Sequence, residues 1–288
     1  ADLDAHLISY GPCQTPTLGF VVDRYDEIQK FRPTLYFKLV AHINRSGIKT
    51  KLKWSRPRIM KDRGACLGYQ TKMIAAGAHW ATVTEVKTAT SKQARPIPLN
   101  TVALMKAAST QLGLGPQQCM HIAEHLYING WVSYPRTESS AYPEHFDIHE
   151  VIEQHIKHPE WGHVAKSLLE TGLQRAKAGV DHGDHPPITP MACAVRDRDL
   201  SGAEWRVYEY IACHFIATVC PDAVFENQTV TYEIGGEFFT SSGSALVEKG
   251  FLEVMPWAKP SDKYMASVKQ GEQFAVESTS IKEGMTKP

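Results

Sequence analysis

The order of two periodicities along the 288 residues constrains the fold most. Segments 35–43 (LYFKLVAHI), 49–54 (KTKLKW) and 81–90 (ATVTEVKTAT) read as strands. The strand pattern returns from Phe225 in TVTYEI, GEFFTSSG, FLEVMPW and EQFAVEST. Between these ends the pattern is helical, over 99–113, 119–129, 148–175 and 201–220; Gly130 stops the second helix and a Ser201–Glu204 capping box opens the last. Strands at both ends and helices between predict an α+β protein, with one β-rich domain split in sequence around an inserted helical domain. A leading helix spans 15–31, with Thr15 as N-cap and Pro16 at the first helical position. The expected domains are 1–31 (helical), 32–92 (first β part), 93–220 (inserted helical domain) and 221–288 (second β part). A short helix is expected over 64–77. The paired helices and the extended piece after Gly130 suggest a helix-turn-helix or winged-helix unit.

The 43% hydrophobic content supplies a sizeable core. No run of about 18 apolar residues predicts a membrane span. No signal peptide opens the chain, and the six scattered cysteines form no CxxC pair, so reduced thiols of an intracellular protein are expected. The chain starts without Met and in mid-pattern, which reads as a piece of a longer protein.

Charge balances at 31 against 31, yet residues 32–100 carry fourteen Lys and Arg against two acids, Asp62 and Glu85. Such asymmetry fits a polyanion contact, and the interleaved Tyr36, Phe37, Trp54, Tyr69 and Trp80 fit stacking on a single strand. A solvated basic sheet face over an aromatic core fits the same residues.

The stretch Gly130–Ser139 (GWVSYPRTES) holds the most chemistry. Pro135 forces an extended backbone on Tyr134, and in an extended segment residues i and i+2 share a face, which sets Arg136 beside Tyr134. A phenol is a weak nucleophile at neutral pH; a guanidinium favours its ionised form and grips a phosphodiester. A core tyrosine with a surface arginine has the same spacing.

GWVSYPRTES closely resembles the active-site strand of type IA DNA topoisomerases, usually written ITYPRTDS. Three more segments resemble that family in the same order: ISYGPCQTPTLGFVVDRYDEI (8–28), LNTVALMKAAS through AEHLYINGWVSYPRTES (99–140), and DHPPITP (184–190). YGPCQTPTLGF and HPPITP are most similar to the eukaryotic topoisomerase III branch. The resemblance covers nearly the whole chain. It implies the family's central-domain fold: a split β-rich arch holding a helical nucleophile domain. It also implies ATP-independent breakage, passage and rejoining of single-stranded DNA through a 5′-phosphotyrosine at Tyr134, which relaxes underwound DNA. Arg136 and His185 match the residues at the scissile phosphate, and Gln14 matches a glutamine at the DNA gate. Lys92, Arg95 and Thr137 complete the expected DNA contacts. Gly11-Pro12-Cys13-Gln14 stands where many relatives have Gly-Arg-Val-Gln, so a phosphate-facing arginine is missing.

The family's Mg²⁺ site lies in a Toprim domain that precedes the matched segments, so this chain is expected to hold no metal and, alone, to bind strands without full relaxation. The resemblance further implies a nuclear protein of DNA recombination and repair, RNA as a possible second substrate, and a helicase or RNA-binding partner. Asp197-Arg198-Asp199 spells D-x-D but reads as a solvated loop. His121-Ile122-Ala123-Glu124-His125 spells an inverted zinc-protease motif, which the topoisomerase helix also explains. A single-strand binding module and a tyrosine recombinase remain as rivals; the recombinase would need more arginines and histidines around its tyrosine.

Overall fold

The structure, a computed structural model, describes residues 11–45, 47–56, 61–175, 178–260 and 267–288. In chain order come α1 (Gln14–Lys30), β1 (Leu35–Arg45), β2 (Ile48–Trp54), α2 (Arg63–Ala75), β3 (Trp80–Gln93), α3 (Thr101–Ala107), α4 (Pro116–Ile128), α5 (Ile148–His155), α6 (Gly162–Thr171), α7 (Gly202–Val219), β4 (Ala223–Ile234), β5 (Glu237–Glu248) and β6 (Gln273–Met285). These elements form two units: the described residues of 1–87, 229–242 and 266–288, and those of 88–228 and 243–265. The chain passes from one unit to the other inside β3, β4 and β5.

In the first unit the strands close into a barrel in the order β1-β2-β5-β4-β3-β6. Alternation along β1 sends Phe37, Leu39, Ala41 and Ile43 inward, where they meet Leu52, Trp54, Val230, Tyr232 and Phe239. Closure comes from β6, which pairs antiparallel with β1 from Leu35↔Met285 to His42↔Ser278 and with β3 at Trp80↔Ala275. A closed sheet leaves no edge for another chain to pair with. The β4–β5 turn is Gly235-Gly236, both at positive φ (55° and 83°), as a two-residue hairpin of matching twist requires. A Cβ on Gly235 would also strike the Met73 carbonyl of α2. Glu237, at the start of β5, accepts from Trp54 Nε1 (2.8 Å) and from Arg56 Nε and Nη2 (3.0 and 2.8 Å). The Arg56 guanidinium holds this carboxyl below its ordinary pKa.

The second unit is built around α7. From Val207 to Val219 every residue of α7 except Glu209 is buried, as in a helix apolar on all sides. Residues of α3, α4, α5 and α6 pack in the same core.

Several expectations are corrected. FLEVMPW (251–257) is not a strand; it forms two short 3₁₀ turns, Gly250–Glu253 and Pro256–Ala258. Phe251, Leu252, Val254 and Met255 drop into the helical core, which draws 243–265 into the second unit. The helix expected over 148–175 divides into α5 and α6, because Pro159 disfavours helix at His158. The leading helix starts at Gln14, with Cys13 as N-cap and no side-chain cap bond, so Thr15 lies inside it. Ser201 is the N-cap of α7 but makes no cap bond, and Glu204 turns instead to His125 Nδ1 (2.8 Å). The six cysteines are free thiols, and no described helix is long and apolar enough to cross a membrane.

Candidate active site

The site lies in the helical unit and begins where α4 stops. Gly130, at φ 77°, lets the chain reverse: its N–H bonds the Tyr127 carbonyl (2.9 Å) and the Trp131 N–H bonds the Leu126 carbonyl (2.9 Å). Residues 131–133 then run antiparallel to 189–191. Val132 bridges Pro190, Ser133 N–H donates to Thr189 O (2.9 Å), and Met191 N–H donates to Trp131 O (2.9 Å). The Ser133 hydroxyl completes the clasp, accepting from Thr189 N–H (2.9 Å) and donating to Pro187 O (3.2 Å).

This clasp brings Tyr134 to His185. Their rings meet edge-on with centroids 4.8 Å apart, and the Tyr127 ring of α4 also meets Tyr134 edge-on, at 5.2 Å. Tyr134 is half-buried, and among the described residues its hydroxyl has no hydrogen-bond partner. His185 has an exposed side chain on a pinned backbone. Thr137 Oγ1 donates to the His185 carbonyl (2.9 Å), and the Asp184 carboxylate is held down to about 2, first by the His185 backbone N–H and then by the Ser139 hydroxyl (2.8 Å).

From Pro135 to Ser139 buried and exposed residues alternate. Thr137 points inward and is 4% exposed; its N–H donates to Thr101 Oγ1 (2.8 Å). It therefore positions the segment rather than offering a group to a strand. Arg136 points outward, 58% exposed, and its Nε and Nη2 both reach Oε1 of Glu124 (2.7 and 2.5 Å). Glu124 and Tyr127 are three residues apart on α4, so Arg136 and Tyr134 rest on neighbouring positions of one helix face. Arg136 lines two open clefts, one of about 620 Å³ with Asn100, Glu138 and Asp184, the other of about 420 Å³ with Met105, Met120 and His121.

The remaining expected residues are elsewhere. Gln14 is exposed at the start of α1, in the barrel unit. Lys92 is exposed near the end of β3. Arg95 is turned inward: its side chain is 8% exposed, its Nη1 donates to Gln174 Oε1 (2.6 Å) and Cys220 O (2.7 Å), and its Nε lies 3.4 Å from Asp222. It braces the helical unit and offers no free guanidinium to a strand. In the H-x-x-E-H segment Glu124 is engaged by Arg136 and His125 by Glu204. Among the described residues no group of three or more His, Cys, Asp or Glu could hold a metal ion.

Sequence reasoning missed Glu124, Thr101, Ser139 and Asp184. Asp184 stood beside His185 in DHPPITP, and Glu124 was visible only inside the zinc-like motif.

A family profile described as DNA topoisomerase matches residues 2–288. DNA topoisomerase 3-beta-1 of Homo sapiens is 44% identical over 291 residues, covering 100% of this chain and 33% of that protein. DNA topoisomerase 3-beta of Arabidopsis thaliana is 42% identical, with the same coverage, and human DNA topoisomerase 3-alpha is 36% identical over 99% of the chain and 28% of its own length. The chain thus spans about a third of the length of these relatives. Full-length topoisomerase I from Thermotoga maritima superposes with a TM-score of 0.74 at 21% identity, over 98% of this chain and 46% of that one; at that identity the likeness speaks of the fold alone.

Proposed function

The chain belongs to the type IA DNA topoisomerase family, and from that premise we propose that Tyr134 is its nucleophile, in a helical nucleophile domain held by a β-rich arch. The Tyr134 oxygen attacks a phosphorus of single-stranded DNA, and the bond to the 3′ oxygen breaks. The phenol gives up its proton and the departing 3′ oxygen gains one. The product is a 5′-phosphotyrosine and a free 3′-hydroxyl. Attack by that hydroxyl reverses the step, so the cut is resealed without ATP. The observation that carries this reading is the edge-on placement of Tyr134 against His185 by the 131–133/189–191 clasp.

Each neighbour has a task. Among the described residues the tyrosine hydroxyl has no partner, which leaves it available to a phosphate. Arg136 keeps N–H groups free of Glu124 with which to hold the phosphate oxygens. His185 donates to the phosphate through a ring N–H. Mg²⁺ does not fit this chain's described residues, which bring no three His, Cys, Asp or Glu together. Gln14 and Lys92, both exposed, serve as strand contacts, while Arg95 and Thr137 act from inside, Arg95 as a brace and Thr137 as an anchor of the Tyr134 segment. A nuclear place in recombination and repair, RNA as a second substrate, and a helicase or RNA-binding partner belong to this proposal through the relatives.

The test is an end-labelled single-stranded oligonucleotide with Mg²⁺, with and without a relative's Toprim domain in trans. Denaturant-trapped product should carry protein on the 5′ end, mapped by peptide mass spectrometry to Tyr134. A 3′ linkage, or an adduct on another residue, overturns the proposal. Binding without adduct in both conditions supports the alternative, a single-strand binding module. Robust Mg²⁺-dependent relaxation by this chain alone would overturn the placement of the metal outside it.

Glu124 should act as a positioning residue for Arg136. Glu124→Ala is expected to lower the adduct-forming rate at saturating oligonucleotide about tenfold while leaving affinity within about twofold. Glu124→Gln, which keeps an acceptor oxygen, should recover part of the loss. A change in affinity alone would show that Glu124 merely screens charge.

A further inference from the structure

One outer face of the barrel carries lysines that no acid among the described residues pairs with. Register fixes who shares it: Lys38 lies opposite Lys282, Val40 opposite Lys53, and His42 opposite Lys51. Opposed residues project to the same side of a sheet, and Phe37, Leu39 and Ala41 take the other side into the core. Lys38, Lys51, Lys53 and Lys282 are all exposed, and among the described residues none makes an ion pair. Lys49 differs, lying 3.4 Å from Glu277, which also accepts from Asn44 (2.9 Å). Lys51 feels the other three: Lys282 first, then Lys38 and Lys53, lower its pKa. Tyr36 shares the face, with the Lys38 ammonium 5.6 Å from its ring centre.

Like charges on one sheet face repel, and the repulsion is relieved when a polyanion lies across them. Two other cations of the basic 32–100 stretch are used differently, Arg56 on Glu237 and Arg95 inside the helical unit. Lys282, from the far end of the chain, completes the patch.

We infer that this face is a second nucleic-acid contact, taking the phosphodiester backbone of single-stranded DNA across Lys51, Lys53, Lys38 and Lys282, with Tyr36 offering a ring to a base. The inference rests on the DNA reading above and not on the chemistry at Tyr134.

Two measurements test it. Anisotropy of a labelled oligothymidylate between about 50 and 200 mM salt gives a log–log slope to which each single-strand phosphate contact adds about 0.7. The double variant Lys51→Gln/Lys53→Gln should lower that slope by about 1.4, and removal of all four lysines by nearly 3, whereas Lys49→Gln should leave it unchanged. In the wild-type chain, acylation of the four lysines read by mass spectrometry should be suppressed by the oligonucleotide. An unchanged slope with unprotected lysines overturns the inference, as does protection by single-stranded RNA but not DNA. An adduct at Tyr134 with an unprotected lysine face ends this inference and leaves the catalytic proposal standing. Protection with an adduct on another residue does the reverse.

Discussion

Replacing Tyr134 with phenylalanine is expected to abolish the covalent DNA adduct while leaving the fold and the affinity for single strands intact. The hydroxyl has no hydrogen-bond partner among the described residues, so its removal strands no buried polar group. The ring keeps its edge-on contacts with His185 and Tyr127, which do not use the hydroxyl as a hydrogen-bonding group. Stability should therefore move by less than about 0.5 kcal/mol. Adduct formation should fall at least about 10⁴-fold, the scale on which loss of a nucleophile is felt. Arg136→Ala should cost less, about 10²–10³, because the attacking group remains and only charge stabilisation is lost. The readouts are a denaturing gel for adduct, anisotropy for binding and a thermal melt for stability. A wild-type level of adduct in Tyr134→Phe would remove Tyr134 from the mechanism.

The second large effect is acid sensitivity of the helical unit. His155, His158 and His214 are buried, and burial lowers each from the ordinary 6.5 to about 4. Geometry adds to this. Nδ1 of His155 accepts from Trp161 Nε1 (3.1 Å) and Nδ1 of His158 accepts from the Glu160 N–H (3.2 Å), so protonation would break both bonds. Because the folded pKa lies below the unfolded one, the unfolded chain takes up protons first as pH falls. Stability present above pH 6.5 is lost progressively down to about 4. Each group can contribute up to about 3 kcal/mol of that loss, a large share of the ~5–15 kcal/mol by which domains are stable. The melting temperature should drop steeply between pH 7 and 5, with a matching change in tryptophan fluorescence, since His158 stacks on Trp161 at 3.4 Å. Asp184, held down to about 2 by its partners, loses its contribution only below this window, whereas the Glu209 carboxyl of α7, pushed up by burial, takes its proton sooner in the folded chain and offsets part of the loss. An unchanged melting temperature at pH 5 would show that these rings are protonated or solvated in the folded state.

How far the sequence could be read varied with the range of the interaction. Alternation identified β1 and β2 because each strand buries one face, and Gly130 marked the end of α4 because a positive φ is a local need. Closure of the barrel could not be read, because the partner of Leu35 is Met285 and no local pattern names it. Apolar content misled at FLEVMPW, where side chains seek the helical core rather than a sheet. At the site, i and i+2 spacing suggested that Tyr134 and Arg136 belong together, and the family motif supplied His185. The reason for that meeting, a serine hydroxyl and backbone bonds to Thr189, is long-range. Arg95 looked free for the converse reason: Gln174, Cys220 and Asp222, which occupy it, are distant in the chain.

The pairing of β1 with β6 also sets the order in which the molecule can assemble during synthesis. The barrel's first strand must wait some 240 residues for its closing partner. Among the described residues the core of the helical unit is complete by Ala258. On a growing chain the unit bearing Tyr134 can therefore mature first, while β1 and β3, the two strands that β6 joins, stay open at their outer edges. Contacts so distant in sequence close slowly, and an open strand edge meanwhile invites pairing with other chains. Aggregation during expression should therefore track whatever delays β6, and truncation before residue 273 should harm the barrel far more than the site.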